Sequence, residues 1–460
     1  MDETSFDVIV LGAGPAGEVI AGRLADAGER VAIVESVLVG GECSFWACMP
    51  SKALLRPAET LAETRRVPGA AEAATGELDV PAVLRRRDEI IHDLDDSGML
   101  PWLEEKSIAL FRSRGELDGE RRVKLDSGET LEAAKAVVVA TGSRASIPPI
   151  PGLRESDPWT NKEITTLKEV PRGIVLLGGG VVGTEMAQAW TTLGTHVTLV
   201  EGERRLLPQE EEYACEQVTD SLVAIGVDVR TGRKVASVRG KSGDGVTVVL
   251  DDDSEVECDR VVATLGRTPN TDSIGLESVG LEAGGYLKID DQCRVKGAEA
   301  WLFAIGDVNG HALLTHMGKY QGRIAADAIL GKDAHLDPDV DRMPPPRVIF
   351  SDPQVAAVGH TVKTAEEARL NVRAVDVTTS GNAGGSFYGH EAVGTTRFVV
   401  DEDRHVLVGA TFVGAEVADF VHAATIAVVG EVPLERLWHA VPSFPTRSEL
   451  WLKLLEKYGL

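Results

Sequence analysis

The sequence predicts an α/β protein in which one strand–turn–helix–strand unit occurs twice, followed by a C-terminal part of mixed α and β structure. Three observations lead to this prediction. Two apolar strands, beginning at Asp7 and Gly173, each run into a glycine-rich turn. Two proline-rich stretches, 145–152 and 343–347, indicate linkers. Beyond the second linker, strand patterns alternate with helix-like runs such as 416–429.

Length, composition and charge limit the number of domains, the class of protein and the partners that it can have. The 460 residues exceed what one core accommodates and suggest roughly two to four domains, and an apolar content of 43% is ordinary for a globular protein. A net charge of −25 disfavours nucleic acid and anionic membranes as partners. The acidic start and the shortness of the apolar runs predict a cytoplasmic protein without a targeting or membrane-spanning segment.

The first copy of the repeat lies at the start of the chain. Asp7–Leu11 is predicted as a buried strand, a helix-like run ends near Gly28, and Val31–Val34 is the second strand, followed by Glu35. The turn between the first strand and the helix consists of Gly12, Ala13, Gly14, Pro15, Ala16 and Gly17.

The second copy repeats this order with strands Gly173–Leu177 and Val197–Val200, followed by Glu201. Its turn consists of Gly178, Gly179, Gly180, Val181, Val182 and Gly183. In both copies the acid lies 23 residues after the first glycine. A glycine motif alone is weak evidence, but the strand before it and the helix after it make each copy specific.

Such a unit is typical of Rossmann-like domains that bind dinucleotides. The first glycine permits a tight turn, the second lets a pyrophosphate approach the helix N-terminus, and the third lets helix and strand pack closely. The terminal acid accepts hydrogen bonds from a ribose hydroxyl, and two such sites on one chain suggest electron transfer between two dinucleotides. Glu201 would repel the 2′-phosphate of NADP and therefore favours NADH, a preference that Arg204 and Arg205 nearby would soften.

Three further apolar strands, 136–142, 261–266 and 301–307, end in residues suited to turns. These end residues are Ala140, Thr141 and Gly142 in the first strand, Gly266 in the second, and Gly306 and Asp307 in the third. The acid cluster 210–212 is expected to be a solvated helix start.

Cys43 and Cys48 are the cysteines with an unusual setting, because glycines precede them and Pro50 follows. Two cysteines five residues apart are separated by about 7.5 Å along a regular helix. A disulfide needs Cα atoms within roughly 4.4–6.8 Å, so a bridge requires a distorted helix start. A helix N-terminus also lowers the pKa of a cysteine, which favours the reactive thiolate. Redox chemistry is favoured over metal binding, since no second cysteine pair or histidine cluster accompanies them, and no metal site is expected.

The stretch 40–52 resembles the redox motif of the class I pyridine nucleotide–disulfide oxidoreductases, a family that includes dihydrolipoamide dehydrogenase, glutathione reductase, mycothione reductase and mercuric reductase. The resemblance extends nearly end to end, because further segments similar to the family's motifs occur in the family's order, at 140–142, 263–270, 304–307 and 350–359. The resemblance implies an FAD-binding domain over 1–148 and 275–340, an NAD(P)-binding domain over 149–274, and an interface domain over 341–460 that forms a homodimer.

The resemblance also implies which residues bind the cofactors. Gly12, Gly14, Gly17 and Glu35 would hold the ADP part of FAD, while Gly306 and Asp307 would bind its ribityl–phosphate region. The nicotinamide cofactor would be bound by Gly178, Gly180, Gly183, Glu201 and Gly266. The cofactor-binding motifs also contain Pro15, Ala16, Gly41, Ala140, Thr141, Gly142, Val182 and Arg267.

For catalysis, the resemblance implies that Cys48 is the thiolate against the flavin and that Cys43 is the thiol that meets the substrate. Lys52 would lie near the flavin N5, paired with Glu185 in the second glycine motif. The proposed electron path runs from NADH through FAD to the cysteine pair and then to a small-molecule acceptor.

The C-terminal segment departs from the family pattern, which has a His followed five residues later by Glu. Aligned on Pro442, the His position is Val441, whose side chain cannot carry a proton. The Glu position is Thr446, or Glu449 if three residues are inserted. His439 with Glu449 is the candidate replacement, against the alternative of an ordinary surface or interface histidine.

A second departure lies beside the cysteines, where Glu42 stands in place of the family's Thr near the FAD phosphates. A carboxylate there would be repelled unless it turns away. Three functions therefore stay open: a reductase of disulfide-like or other sulfur acceptors, an NAD(P)H:quinone or small-acceptor reductase whose electrons leave from the flavin, and a non-catalytic redox sensor or complex subunit.

Overall fold

The structure is a computed structural model that describes residues 4–243, 245–389, 392 and 394–460. The chain divides into two compact units. The first comprises Met1–Pro50, Asp88–Ser146 and Gly266–Asp341, and the second comprises Ser51–Arg87, Ile147–Leu265 and Arg342–Leu460. The predicted three-domain boundaries stay a prediction.

The described part of the chain contains strands and helices in alternation. The strands are β1 (Ser5–Leu11), β2 (Val31–Glu35), β3 (Ala109–Arg112), β4 (Gly115–Leu117), β5 (Arg122–Leu125), β6 (Thr130–Val139), β7 (Ser143–Ala145), β8 (Gly173–Leu177), β9 (His196–Glu201), β10 (Asp228–Thr231), β11 (Val235–Lys241), β12 (Gly245–Leu250), β13 (Glu255–Cys258), β14 (Arg260–Ala263), β15 (Arg267–Pro269), β16 (Leu302–Ala304), β17 (Arg347–Ile349), β18 (Gln354–Gly359), β19 (Val372–Thr378), β20 (Thr395–Asp401) and β21 (Val406–Gly414).

The helices are α1 (Pro15–Asp26), α2 (Gly41–Phe45), α3 (Cys48–Arg66), α4 (Val80–Ile90), α5 (Leu100–Glu105), α6 (Asn161–Thr166), α7 (Val181–Thr192), α8 (Glu212–Ala224), α9 (Thr315–Ile329), α10 (Pro338–Arg342), α11 (Val362–Glu367), α12 (Phe420–Val429), α13 (Leu434–Leu437) and α14 (Glu449–Tyr458). Single 3-10 turns cover His92–Leu94, Ser97–Met99, Leu276–Val279, Gly306–Asn309 and Gly385–Tyr388. Within the described ranges, no helix combines the length and apolarity that a membrane crossing requires.

The first unit is built on one seven-stranded sheet in the order β3-β2-β1-β6-β5-β4, with β16 also paired to β6. Strands β3, β2, β1, β6 and β16 run parallel, whereas β4 and β5 extend the sheet antiparallel. Strands β1, β2 and β16 and the last four residues of β6 are largely buried on both faces, as their unbroken apolar runs require, whereas the edge strand β3 is only partly buried. A small antiparallel ribbon joins β7 to β15.

The second unit contains three sheets. A parallel sheet has the order β10-β9-β8-β14, and an antiparallel sheet joins β11, β12 and β13. A five-stranded antiparallel sheet, β17-β18-β21-β20-β19, lies in the C-terminal part and packs against α12 and α14. The predicted fold class, two Rossmann-like units with a C-terminal α+β part, is confirmed.

The repeat predicted from the glycine turns is present in the strand register. Leu11 of β1 pairs with Val34 of β2, and Leu177 of β8 pairs with Val200 of β9, an offset of 23 residues in both copies. The two units therefore place their terminal acids, Glu35 and Glu201, at the same position relative to their turns.

Some predicted element ends differ from the structure. Strand β6 ends at Val139, so 140–142 lies beyond the carboxyl end of the sheet, where ligands of parallel sheets are held. Likewise β14 and β16 end at Ala263 and Ala304, before the glycines that were included in the predicted strands. Helix α12 begins at Phe420 rather than at residue 416, because Glu416 has a left-handed backbone with φ of 48°.

The acid cluster 210–212 was wrongly predicted to be solvated, since two of its members are buried. The Glu210 carboxylate accepts hydrogen bonds from Arg347 Nε and Nη2 at 2.6 and 2.8 Å. Glu211 accepts one from Arg397 at 2.8 Å and one from the backbone of Val362 at 2.9 Å. The arginines come from strands more than 130 residues further along the chain, so a local charge pattern does not contain this information.

We expect Arg347→Met to lower the free energy of unfolding by about 3 to 5 kcal/mol, because it leaves Glu210 buried without its counter-charge. Chemical denaturation of the variant and the wild type measures the difference. Arg239→Met is the matched control, since its ion pair with Glu255 is exposed and its loss should cost less than about 1 kcal/mol. Equal small losses in both variants would contradict the assignment.

Candidate active site

The first glycine turn is defined by steric contacts. Gly12 has φ of 106°, and a Cβ there would lie 2.4 Å from the Ala140 carbonyl oxygen. A Cβ at Gly17 would lie 2.1 Å from the Gly12 carbonyl oxygen, whereas at Gly14 it would meet nothing within 4 Å. Two glycines are therefore required by packing, and the third leaves open space before α1, as a bound pyrophosphate needs.

The second glycine turn repeats this geometry in the other unit. A Cβ at Gly178 would lie 2.6 Å from the Thr264 carbonyl oxygen, and one at Gly183 would lie 1.9 Å from the Gly178 carbonyl oxygen. Gly180, like Gly14, faces open space. Neither α1 nor α7 is capped by a side chain at its N-terminus, which leaves backbone N–H groups available to a phosphate.

The terminal acids are oriented by the turns they follow. The Glu35 carboxylate accepts hydrogen bonds from the backbone of Ala13 at 2.8 Å and Val37 at 2.7 Å. The Glu201 carboxylate accepts them from Gly179 at 2.6 Å and Glu203 at 2.8 Å. Each carboxylate is thus held beside its turn, and the residues present fit a dinucleotide in both units.

The other cofactor motifs of the first unit meet at the ends of β6 and β16. Asn270 exchanges hydrogen bonds with Thr141, and a Cβ at Gly41 would lie 2.8 Å from Gly14 Cα. Gly306 and Asp307 form the 3-10 turn after β16. Asp307 accepts a hydrogen bond from Ser143 at 2.5 Å; burial raises the pKa of this carboxyl, against the effects of Ser143 and Arg267.

Glu42 turns away from the glycine turn to an arginine. Arg267 Nη2 donates to the Glu42 carboxylate at 2.6 Å, and the same guanidinium donates to the Ser143 hydroxyl at 2.9 Å and carbonyl at 2.7 Å. Because Ser143 in turn donates to Asp307, the four residues form one hydrogen-bonded network. The repulsion expected for a carboxylate at this position is offset by this pairing.

The cysteines meet across a break between two helices. Cys43 lies in α2, which ends at Phe45; Trp46 has non-helical φ and ψ of −136° and 6°, and Cys48 begins α3. The two Sγ atoms are 2.6 Å apart, about half an ångström more than a disulfide bond. The predicted distortion of the helix start is therefore confirmed. Cys215, Cys258 and Cys293 are also free thiols, and burial raises the pKa of each.

A hydrogen bond between the two thiols affects the ionisation of Cys43. Cys43 donates a hydrogen bond to Cys48, and this bond, with burial, raises the pKa of the Cys43 thiol well above its usual range. Both effects favour the protonated form of Cys43.

Thr315 is a site residue that the sequence reasoning missed. Its hydroxyl donates to Cys43 Sγ at 3.2 Å and lies 3.6 Å from Cys48 Sγ. It is the first residue of α9, and 272 positions separate it from Cys43. Thr315 lies shortly after the Gly306-Asp307 motif, which is the one hint in the sequence that it belongs to the cofactor region. Its distance from the cysteines along the chain gives no indication that it contacts them.

Lys52 and Glu185 are paired, as predicted, in the second unit. Lys52 Nζ donates to Glu185 Oε2 at 2.7 Å, and Glu185 Oε1 accepts the backbone N–H of Phe350 at 3.0 Å. Glu185 is almost fully buried, so these two hydrogen bonds stand in for the water that its carboxylate has lost. Lys52 also lies over the Phe350 ring, 4.8 Å from its centroid.

The C-terminal candidates are not brought together within the chain. His439 is exposed, and among the described residues no hydrogen bond or ion pair joins it to Glu449, at the start of α14. Val441 is 85% exposed and Phe444 is 76% exposed. The Thr446 hydroxyl donates a hydrogen bond to the Ser443 carbonyl oxygen. The role assigned to His439 and Glu449 stays a prediction.

Most of the chain matches models of one protein family. Residues 6–325 match the model described as pyridine nucleotide-disulphide oxidoreductase, and residues 345–454 match the dimerisation domain of the same family. Dihydrolipoyl dehydrogenase of Bacillus subtilis (strain 168) is 31% identical over 98% of this chain and 96% of its own length. Mercuric reductase of Staphylococcus aureus is 28% identical over 96% of this chain and 81% of its own length.

Solved structures agree with these matches. LpdA of Mycobacterium tuberculosis superimposes with a TM-score of 0.85 at 25% identity, covering 99% of this chain and 100% of that one. The HOCl-induced flavoprotein disulfide reductase RclA of Escherichia coli, at 22% identity, shares the fold with a TM-score of 0.85, covering 98% of this chain and 99% of that one. On these matches and on the two glycine turns and paired cysteines described above, the chain belongs to the pyridine nucleotide-disulphide oxidoreductases and is an FAD-dependent oxidoreductase of that family.

Proposed function

We propose that the protein oxidises NADH and passes the electrons through FAD and the Cys43–Cys48 pair to a disulfide-like or other sulfur acceptor. The observation that supports this most directly is the pair itself, with Sγ atoms 2.6 Å apart in the first unit. When bound, FAD supplies the chemistry that takes hydride from the reduced nicotinamide and hands an electron pair to the cysteine disulfide.

The reduced pair then acts on the acceptor in two exchanges. Cys43 loses its proton and its sulfur attacks one acceptor sulfur, so the acceptor S–S bond breaks and a mixed disulfide forms. The first acceptor thiol leaves with one proton. Cys48, as thiolate, then attacks the Cys43 sulfur, restores the Cys43–Cys48 bond and releases the second thiol, which takes a proton from solvent. Two electrons have passed to the acceptor.

A second candidate function is direct reduction of a quinone or other small acceptor by electrons that leave from the flavin. The observation in its favour is Val441, which stands at the position of the family's proton-carrying His and offers an exposed apolar side chain. A quinone accepts electrons without thiol exchange, so such a reaction would not need that imidazole.

We further propose that the protein acts as a homodimer through its C-terminal part. The match to a dimerisation domain over 345–454 supports this, as do the exposed apolar side chains of Val441 and Phe444. Glu201 supports the choice of NADH, since its carboxylate is fixed by two backbone N–H groups and Arg205 is engaged by Glu212 at 3.0 Å.

Cys43→Ser is expected to lower the rate of disulfide reduction by NADH at least about a hundredfold, because no sulfur remains to attack the acceptor. Anaerobic NADH titration gives a second measurement: in the wild type the first two electrons should leave the flavin spectrum oxidised, and in the variant they should bleach it. Cys258→Ser, a thiol elsewhere in the chain, is the control. Unchanged acceptor turnover in Cys43→Ser would rule out the disulfide route and support the quinone route.

Glu201→Gln is expected to reduce the preference for NADH over NADPH, measured as the ratio of the two kcat/KM values, by about tenfold, because it removes a charge that repels the 2′-phosphate. Glu203→Gln, an exposed acid two residues on, should leave the ratio unchanged. A wild-type protein that uses both cofactors equally would show that Glu201 does not discriminate.

A further inference from the structure

The first glycine turn has an acidic residue on each side of it. On one side, a Cβ added at Gly41 would lie 2.8 Å from Gly14 Cα, and Glu42 is the next residue. Gly14 itself faces open space, which suits an anionic pyrophosphate at the N-terminus of α1. Glu42 therefore brings a negative charge close to the part of the turn that is suited to phosphates.

The acid on the other side is Asp307. It lies in the turn after β16, where a Cβ added at Gly306 would lie 3.5 Å from Ala16 Cβ in the glycine turn. Strands β1, β6 and β16 are neighbours in one parallel sheet, so the segments that follow them meet at one edge, where such sheets bind ligands. Two carboxylates at this edge would repel a bound pyrophosphate unless a cation offset their charge.

Arg267 is the cation that links these two acids. Its Nη2 donates to the Glu42 carboxylate at 2.6 Å, and its Nε donates to the Ser143 hydroxyl at 2.9 Å. The Ser143 hydroxyl in turn donates to Asp307 at 2.5 Å. The Arg267 and Glu42 side chains are only 24% and 22% exposed, so solvent and salt screen their charges less than those of a surface pair. The network therefore places two acids and one cation beside the glycine turn.

We propose that the Glu42–Arg267 pair sets the affinity of this protein for FAD: the Arg267 charge favours binding of the pyrophosphate, and Glu42 weakens binding by taking up part of that charge. The family pattern has an uncharged Thr at position 42, so the weakening would be a property of this chain. The inference concerns the cofactor and not the acceptor, and it therefore goes beyond either candidate function.

The sign of each effect follows from the net charge beside the turn. Without the Glu42 charge, the guanidinium is less compensated and attracts an anion more strongly. Without Arg267, Glu42 and Asp307 repel the anion. Removal of both members of the pair takes away one negative and one positive charge, so the balance returns to that of the wild type. A purely structural role predicts a different result, because the double variant lacks the same hydrogen bonds as the single variants.

The test is the dissociation constant for FAD, measured on the FAD-containing protein by ultrafiltration and flavin fluorescence at about 20 mM and about 500 mM salt. At the lower salt concentration, Glu42→Gln should bind FAD about threefold to tenfold more tightly than the wild type, and Arg267→Met should bind it at least about tenfold more weakly. The double variant should lie within about threefold of the wild type. The higher salt concentration should reduce all of these differences.

Arg122→Met is the matched control, because it removes an equal charge from an exposed ion pair with Asp118 in the same unit. Arg122 pairs with Glu132 near the start of β6, at the end of the strand opposite the glycine turn. The affinity of this variant for FAD should therefore equal that of the wild type.

Two results would overturn the proposal: Glu42→Gln that binds FAD no more tightly than the wild type at low salt, or a double variant that binds it as weakly as Arg267→Met. If Arg267→Met does not fold, Glu42→Gln and its salt dependence decide. Because no acceptor enters this assay, failure of the proposed function shows itself separately, as acceptor turnover that survives Cys43→Ser.

Discussion

The absence of a side chain at Gly17 and Gly183 determines how close each dinucleotide-binding helix approaches its own strand. A single added carbon at either position would lie about 2 Å from a carbonyl oxygen, at 2.1 Å and 1.9 Å. That approach directs the N-termini of α1 and α7, with their uncapped N–H groups, toward the open spaces at Gly14 and Gly180. The register of β1 with β2 and of β8 with β9, and the hydrogen bonds to Glu35 and Glu201, are built around the same contacts.

Much of this architecture is accessible from the sequence, because it is determined locally. Turn geometry, strand pairing in the repeat and the distorted helix start at the cysteines all follow from residues within about 25 positions of one another. The Lys52–Glu185 pair was predictable only through family resemblance, since 133 positions separate its members. Thr315 and the arginines that bury Glu210 and Glu211 were not predicted, because their partners are chosen by the tertiary fold and not by spacing.

At the C-terminus, the departure from the family pattern that the sequence predicts concerns a proton carrier and not the cysteines or the glycine turns. The cysteine pair and the first glycine turn are present in the first unit, and the second glycine turn and the buried Glu185 are present in the second. Val441, which the sequence predicts to stand at the position of the family's proton-carrying His, is an exposed apolar side chain.

The network from Glu42 to Asp307 has a consequence for how this sequence can change over evolution. Arg267 forms an ion pair with Glu42, the residue directly before Cys43. It also donates a hydrogen bond to Ser143, whose hydroxyl donates to Asp307. An uncharged residue at position 42 would therefore change the surroundings of the Arg267 guanidinium, which also contacts Ser143 beside Asp307. A neutral residue at position 267 would leave the Glu42 carboxylate without this ion pair. The dependence runs in one direction: Arg267 belongs to a segment that resembles the family's motif, whereas Glu42 departs from it, so the carboxylate at position 42 is tolerable because the arginine is already there, and loss of Arg267 would favour loss of Glu42 as well.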